Sequence, residues 1–194
     1  MRLLEREKYL DDRELALFLR AIRSRRHANA VRDHALFALL VNTGIRPGEA
    51  LALTWGNVRL TDRDPYIRIH RLKKRRDNGV IDDLPIARAL ARLMVAYRDA
   101  WFQTSPLPQE RVFPTTIRNV EERFKFYVRS AGLGRPIKLY ALRHTAGTRA
   151  WRATRDLLVV QQQLGHASPL STQVYTHVDP EARRKLADTV LGEV

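Results

Sequence analysis

Two neighbouring stretches, LYALRHTAGTRAW (residues 139–151) and QQQLGHASPLSTQVYTHVDP (residues 161–180), decide how this chain is read. They bring Arg143, His144, His166 and Tyr175 close together in sequence, on short segments punctuated by Gly165 and Ser168-Pro169. Their pattern predicts three short helices. The first carries Arg143 and His144. The second, RDLLVVQQQLG, is expected to be capped by Thr154 and Gly165. The third starts at Ser168-Pro169 and sets Tyr175 about two turns in. A last helix, from Asp179-Pro180-Glu181 onward, has Leu186, Val190 and Leu191 on one side.

Upstream, NTGIRPGEALAL (residues 42–53) supplies a further cation, Arg46, at a helix entrance. Pro47 suits a first helical turn, and Glu49 favours the positive end of the helix dipole. Before it, VRDHALFALLVNTG reads as a mostly buried helix closed by Gly44. YLDDRELALFLRAIRSRR has Leu15, Leu17, Phe18 and Ile22 at near-helical spacing, with Asp11 or Asp12 as N-cap. Residues 57–86 change character. Tyr66, Ile67 and Ile69 predict a strand, Asn78-Gly79 a hairpin turn, and Val80 to Ile86 its partner, with Asn57 to Leu60 as a third strand. Helices follow at RALARLMVAYRDAWF, with Leu90, Leu93, Met94 and Tyr97 on one face, and at RNVEERFKFYVRSAGLG, with Phe124, Phe126 and Tyr127. QTSPLPQERVFPTT between them reads as loop. The expected fold is mainly α, multihelical, with one small three-stranded antiparallel β-sheet.

Composition narrows the partners. With 194 residues, one domain with a proper core fits, so residues 1–194 are expected to form a single domain with residues 179–194 as a helical tail. A formal charge of +14 points to a polyanion, and nucleic acid precedes a membrane because no basic amphipathic anchor stands out. No apolar run reaches the roughly 20 residues of a membrane span, and the charged N-terminus does not read as a signal peptide, so a cytoplasmic protein is expected. The absence of Cys removes thiolate nucleophiles, disulfides and thiolate zinc sites. Asp82 and Asp83 would face opposite sides of a strand, no His/carboxylate set has ligand spacing, and no GxxxxGK loop occurs. Neither metal nor ATP is indicated, and no cofactor is expected.

Phosphodiester cleavage passes through a pentavalent species with extra charge on its non-bridging oxygens. Two guanidiniums suit that charge, since each is a planar, permanently protonated fork; Arg46 and Arg143 are the pair. Tyr175 is the candidate nucleophile, a phenol only roughly one part in a thousand ionised at neutral pH and so in need of nearby cations or a base. His166 follows a helix-ending Gly and is expected at an exposed turn, able to bond a phosphate oxygen. His144 either contacts the site or makes a buried structural hydrogen bond. His27, His34 and His177 read as structural. A leaving 5′ oxygen needs a proton, and Lys73 or Lys74 on the hairpin can supply it. Arg71, Lys74, Arg75 and Arg76 read as a phosphate-binding run.

TGIRPGEALAL, LRHTAGT, LGHASPLSTQVYTHV and the lysine-bearing hairpin together resemble the catalytic domain of the tyrosine recombinases, the phage-integrase family. The likeness covers roughly Asp33 to Pro180, with separated motifs in the expected order. It implies that Arg46 and Arg143 hold the scissile phosphate, Lys73 is the general acid, His166 fills the His/Trp position and Tyr175 forms a 3′-phosphotyrosyl link. Glu49 corresponds to the acidic residue supporting the first arginine. Tyr140 stands where the family usually has His, and a phenol is a poor proton acceptor at pH 7; His144 or His166 would then assist Tyr175, or water would take the proton. The hairpin loop looks longer than usual, which leaves Lys73 and Lys74 both open as the acid. The family acts on double-stranded DNA as tetramers on paired sites. Too few residues precede Arg46 for the separate N-terminal core-binding domain of most members, so a minimal or truncated recombinase is expected. A type IB topoisomerase-like or hairpin-resolving enzyme would use the same residues, and a DNA-binding factor that has lost catalysis would fit Tyr140.

Overall fold

The computed structural model describes residues 8–61, 63–71 and 80–165. Helix α1 (Asp12–Arg23) starts at a reciprocal cap in which the Asp11 side chain accepts from the Glu14 amide and Glu14 accepts from that of Asp11. Its buried stripe is Leu15, Phe18 and Ile22; Leu17, expected on the same face, lies on the flank and is 37% exposed. Helix α2 (Ala28–Thr43) begins three residues before the expected Val31, because the His27 imidazole caps it by accepting from the Ala30 amide. This helix is the centre of the fold, with Ala35, Leu36, Phe37, Leu39 and Leu40 buried. It packs against α1, the short α3 (Pro47–Ala52), α4 (Arg88–Trp101) and α6 (Ala141–Thr154).

The rings of Phe18, Phe37, Phe124 and Tyr127 cluster where α1 and α2 meet α5 (Ile117–Ser130). Beside them Asp33 is buried and accepts from Arg32, Arg123 and the Tyr127 hydroxyl. Burial first, and then the Asp33 charge, raise the Tyr127 phenol to about 12. Phe126 is 37% exposed, with the Arg25 and Arg123 guanidiniums over its ring.

The sheet has the expected three antiparallel strands in the order β1 (Val58–Arg59), β2 (Tyr66–Arg71), β3 (Val80–Pro85). The first is shorter than expected, because Trp55–Asn57 coils into a 3-10 turn. Ile67, Ile69 and Arg71 share the buried face of β2, while Arg68 and His70 face out. The proline-rich stretch read as loop is tied down on one side: Val112 donates to the Leu53 carbonyl, Trp55 to that of Glu110, and Val112 and Phe113 are fully buried.

Helix α6 ends at Arg155, and α7 (Leu157–Leu164) follows at once. Its N-cap is Asp156 and not Thr154; the carboxylate accepts from the Leu158 and Val159 amides, while the Thr154 hydroxyl turns back to the Ala150 carbonyl. The third helix of the C-terminal reading and the tail with Leu186, Val190 and Leu191 lie outside the described residues. The ends of α2, α6 and α7 converge at Gly44, which caps α2 at φ +69°. A Cβ there would collide with the Leu164 side chain and come to 3.1 Å from Ala146. Gly44→Ala is therefore expected to destabilise the fold by about 1–2 kcal/mol from the left-handed backbone alone, and more from crowding. The check is a lowered urea midpoint with an unchanged slope.

Candidate active site

Arg46 sits between the left-handed Gly44 and Pro47, so the chain turns sharply and its side chain emerges at the start of α3. Glu49 fixes it there. One carboxylate oxygen accepts from the Arg46 amide at 2.8 Å and the other from its guanidinium at 2.9 Å. The Glu49 side chain is fully buried whereas that of Arg46 is 35% exposed. The carboxylate thus holds the guanidinium from behind and leaves part of it open to solvent.

Arg143 reaches the same place from the first turn of α6. It is 2% exposed, and its guanidinium donates to the carbonyls of Gly44 and, at 2.7 Å, Leu164. Gly44 is two residues from Arg46, a separation of at most about 7 Å between α-carbons. The two arginines expected to act together are therefore drawn to one junction. Both acceptors lie at helix C-termini, where carbonyls lack intrahelical donors and carry partial negative charge. Gln163 reinforces the junction by donating to the Thr43 carbonyl at 3.0 Å.

Tyr140 stands at the N-terminus of α6, 44% exposed, with the Arg143 guanidinium 6.0 Å from its ring centre. It also lines a cavity of about 470 Å³ together with Pro47, Gly48, Lys125 and Lys138. One turn along α6, His144 meets the Tyr140 ring edge-on at 5.1 Å. Burial, then the charges of Arg143 and Lys8, push the His144 imidazole down to about 4. His144 is thus half-buried, with its ring against that of Tyr140.

Arg71 departs from its expected role. Instead of joining an exposed phosphate-binding run it is 5% exposed, because strand alternation turns it to the inner face of the sheet. There it pairs with Asp82 at 2.7 Å and donates to carbonyls at the end of α7. Asp83 pairs with the outward Arg68 at 2.7 Å, so the two adjacent carboxylates go to different arginines. Among the described residues no group of three His, Asp or Glu side chains could hold a metal ion, and no helix is long and apolar enough to cross a membrane. Lys73, Lys74, Arg75, Arg76, His166 and Tyr175 lie outside the described residues. The arginine–carbonyl contacts were not foreseen from the sequence; for Arg71 the signal was its inward position on a strand, and for Arg143 on α6 there was none.

A model described as the phage integrase family matches residues 8–182. Tyrosine recombinase XerC 2 of Ralstonia nicotianae is 34% identical over 164 residues, covering 81% of this chain and 46% of that protein. XerC of Xylella fastidiosa is 30% identical over 158 residues, covering 81% and 52%. The chain thus spans about half the length of these curated relatives. Among solved structures, the XerH site-specific recombinase bound to difH substrate, a pre-cleavage complex, matches 95% of this chain and 53% of its own at a TM-score of 0.74 and 25% identity. The catalytic domain of bacteriophage HP1 integrase, at 21% identity and a TM-score of 0.67 over 93% of this chain and 94% of its own, shares the fold. With motifs, architecture and a family match over most of its length in agreement, the chain belongs to the phage integrase family.

Proposed function

We propose that this chain is the catalytic part of a site-specific DNA recombinase that cuts and rejoins double-stranded DNA through a 3′-phosphotyrosyl intermediate. One observation carries the reading: Arg143 is hydrogen-bonded to the Gly44 carbonyl, two residues from the half-open, Glu49-braced Arg46. Two permanent cations at one junction suit the charge that builds on a phosphodiester in its pentavalent state. XerH, similar in fold and sequence, is bound to its difH substrate in its own crystal structure, and the net charge of +14 is that of a polyanion-binding chain.

In this mechanism the Tyr175 oxygen attacks phosphorus and the phenol gives up its proton. The bond to the 5′ oxygen breaks, and that oxygen takes a proton from Lys73, or from Lys74 if the longer hairpin shifts the register. A 5′-hydroxyl from a partner strand then attacks the phosphotyrosine and releases Tyr175. His166 and the Tyr140 hydroxyl donate hydrogen bonds to the phosphate, and Lys74, Arg75 and Arg76 run along the DNA backbone. Recombination joins paired sites, which calls for a homotetramer. The phenolic proton goes to His144, whose imidazole is lowered to about 4 in the free protein, to His166 or to water.

Nicked suicide duplexes tiled across the DNA flanking the protein's own reading frame test the reading through a denaturant-resistant, slower-migrating adduct. Tyr175→Phe is expected to abolish the adduct while leaving DNA affinity within about twofold, and an adduct that persists removes Tyr175 as nucleophile. Arg46→Lys is expected to slow cleavage by about 10²–10³-fold, because an ammonium does not reproduce the guanidinium fork. Affinity should fall about 10³–10⁵-fold between 50 and 200 mM salt, as for a protein making 6–10 phosphate contacts.

The low His144 value also fixes the sign of a pH effect. Between its ordinary 6.5 and about 4 the unfolded chain binds a proton that the folded chain refuses. Stability should therefore fall as pH drops through that window, with no contribution from His144 above it. An NMR titration should find the His144 midpoint near 4, and His144→Gln should flatten part of the loss in thermal stability.

A further inference from the structure

We propose that Arg71 is a positioning residue for the strand-transfer reaction, one that locks the end of α7 to the sheet and so sets where the chain departs toward His166 and Tyr175. Its basic neighbours Lys73, Lys74, Arg75 and Arg76 invite a reading as one more phosphate contact, and its surroundings contradict that. The inward face of β2 buries it to 5% exposure. Its Nε donates to Asp82 at 2.9 Å, and the same guanidinium donates to the carbonyls of Leu164 at 3.0 Å, Gln163 at 2.9 Å and Gln162 at 3.4 Å. These carbonyls close the last turn of α7; that of Gln162 also accepts from the Gly165 amide, and a planar fork reaches all three at once while Asp82 anchors it to β3.

Two further features tie this clamp to the site. The Leu164 carbonyl accepts from Arg143 as well as from Arg71, so any shift of the α7 end is felt directly by Arg143. Gly165, the residue before His166, has φ +63°, and a Cβ on it would lie 2.7–2.8 Å from the Arg71 guanidinium. The turn that launches His166 is thus built in contact with Arg71. The inference rests on the proposed function, since it assigns Arg71 a part in that same reaction.

Arg71→Gln and Arg71→Lys, assayed on the full chain, separate the possibilities. The readouts are the single-turnover adduct rate at saturating suicide duplex, DNA affinity with its salt slope, and the rate on a duplex whose 5′ leaving oxygen is replaced by sulfur. A thiolate leaves without a donated proton, so sulfur rescues defects in the general acid alone. Both variants are expected to lose about 100-fold in rate, the effect of a roughly 1 Å misplacement, with affinity and salt slope unchanged and no rescue by sulfur. A salt slope lower by about one unit with an unchanged rate would make Arg71 a phosphate contact and overturn the proposal. Rescue by sulfur would mean that Arg71 acts through the hairpin lysines and would overturn it too. If Arg71→Gln does not fold, Arg71→Lys decides, because it keeps a cation facing Asp82 but not the fork; an unaltered rate there defeats the proposal. Absence of any adduct from the unaltered protein defeats the proposed function, and this inference falls with it. An adduct from the unaltered protein with indifferent Arg71 variants defeats this inference alone.

Discussion

The architecture depends on two arginine side chains buried against the carbonyl ends of two helices. Helix α2 ends at Gly44 and α7 at Leu164, and each end points oxygens that have no helical donor into the interior. Arg143 bridges the two ends, and Arg71 also donates to the second. Unpaired, such groups carry a desolvation penalty of about 1–3 kcal/mol each. Paired, they convert the partial negative charge of two helix termini into an anchor for positive charge inside the protein.

This arrangement links stability to chemistry. A guanidinium has five donors in a fixed plane, so the groups that hold Arg143 among carbonyls also set its orientation. Arg46 is held differently, by a buried carboxylate that bonds both its amide and its side chain and leaves it 35% exposed. One cation is thus built into the interior and its neighbour is presented at the surface. Gly44 makes both possible, because only a residue without a Cβ lets α2 turn at this angle while Leu164 and Ala146 press against it.

Much of this was legible beforehand. Helical spacing found Leu15, Phe18 and Ile22, strand-forming residues found β2 and β3, and Gly44 and Gly165 marked helix ends; the register, which pairs Arg71 with Val80, is not that of a two-residue turn at Asn78-Gly79. Where the reading slipped, a local rule met a better competitor. Asp156 outbids Thr154 as cap because its carboxylate reaches two amides, and the His27 imidazole starts α2 earlier than hydrophobic spacing suggested. Leu17 sits on a helix flank, where periodicity alone does not fix the edge of the buried stripe.

The order and chemistry of the motifs were enough to select the family and to single out Arg46, Glu49, Tyr140 and Arg143 as candidates, because short-range spacing and side-chain type are written in the chain itself. What Arg71 does was not. A cation two residues from Lys73 reads as one more surface charge until strand alternation turns it inward and a helix from ninety-odd positions later brings its carbonyls to meet it. Contacts over such separations depend on how elements pack, and no local pattern of residues encodes them.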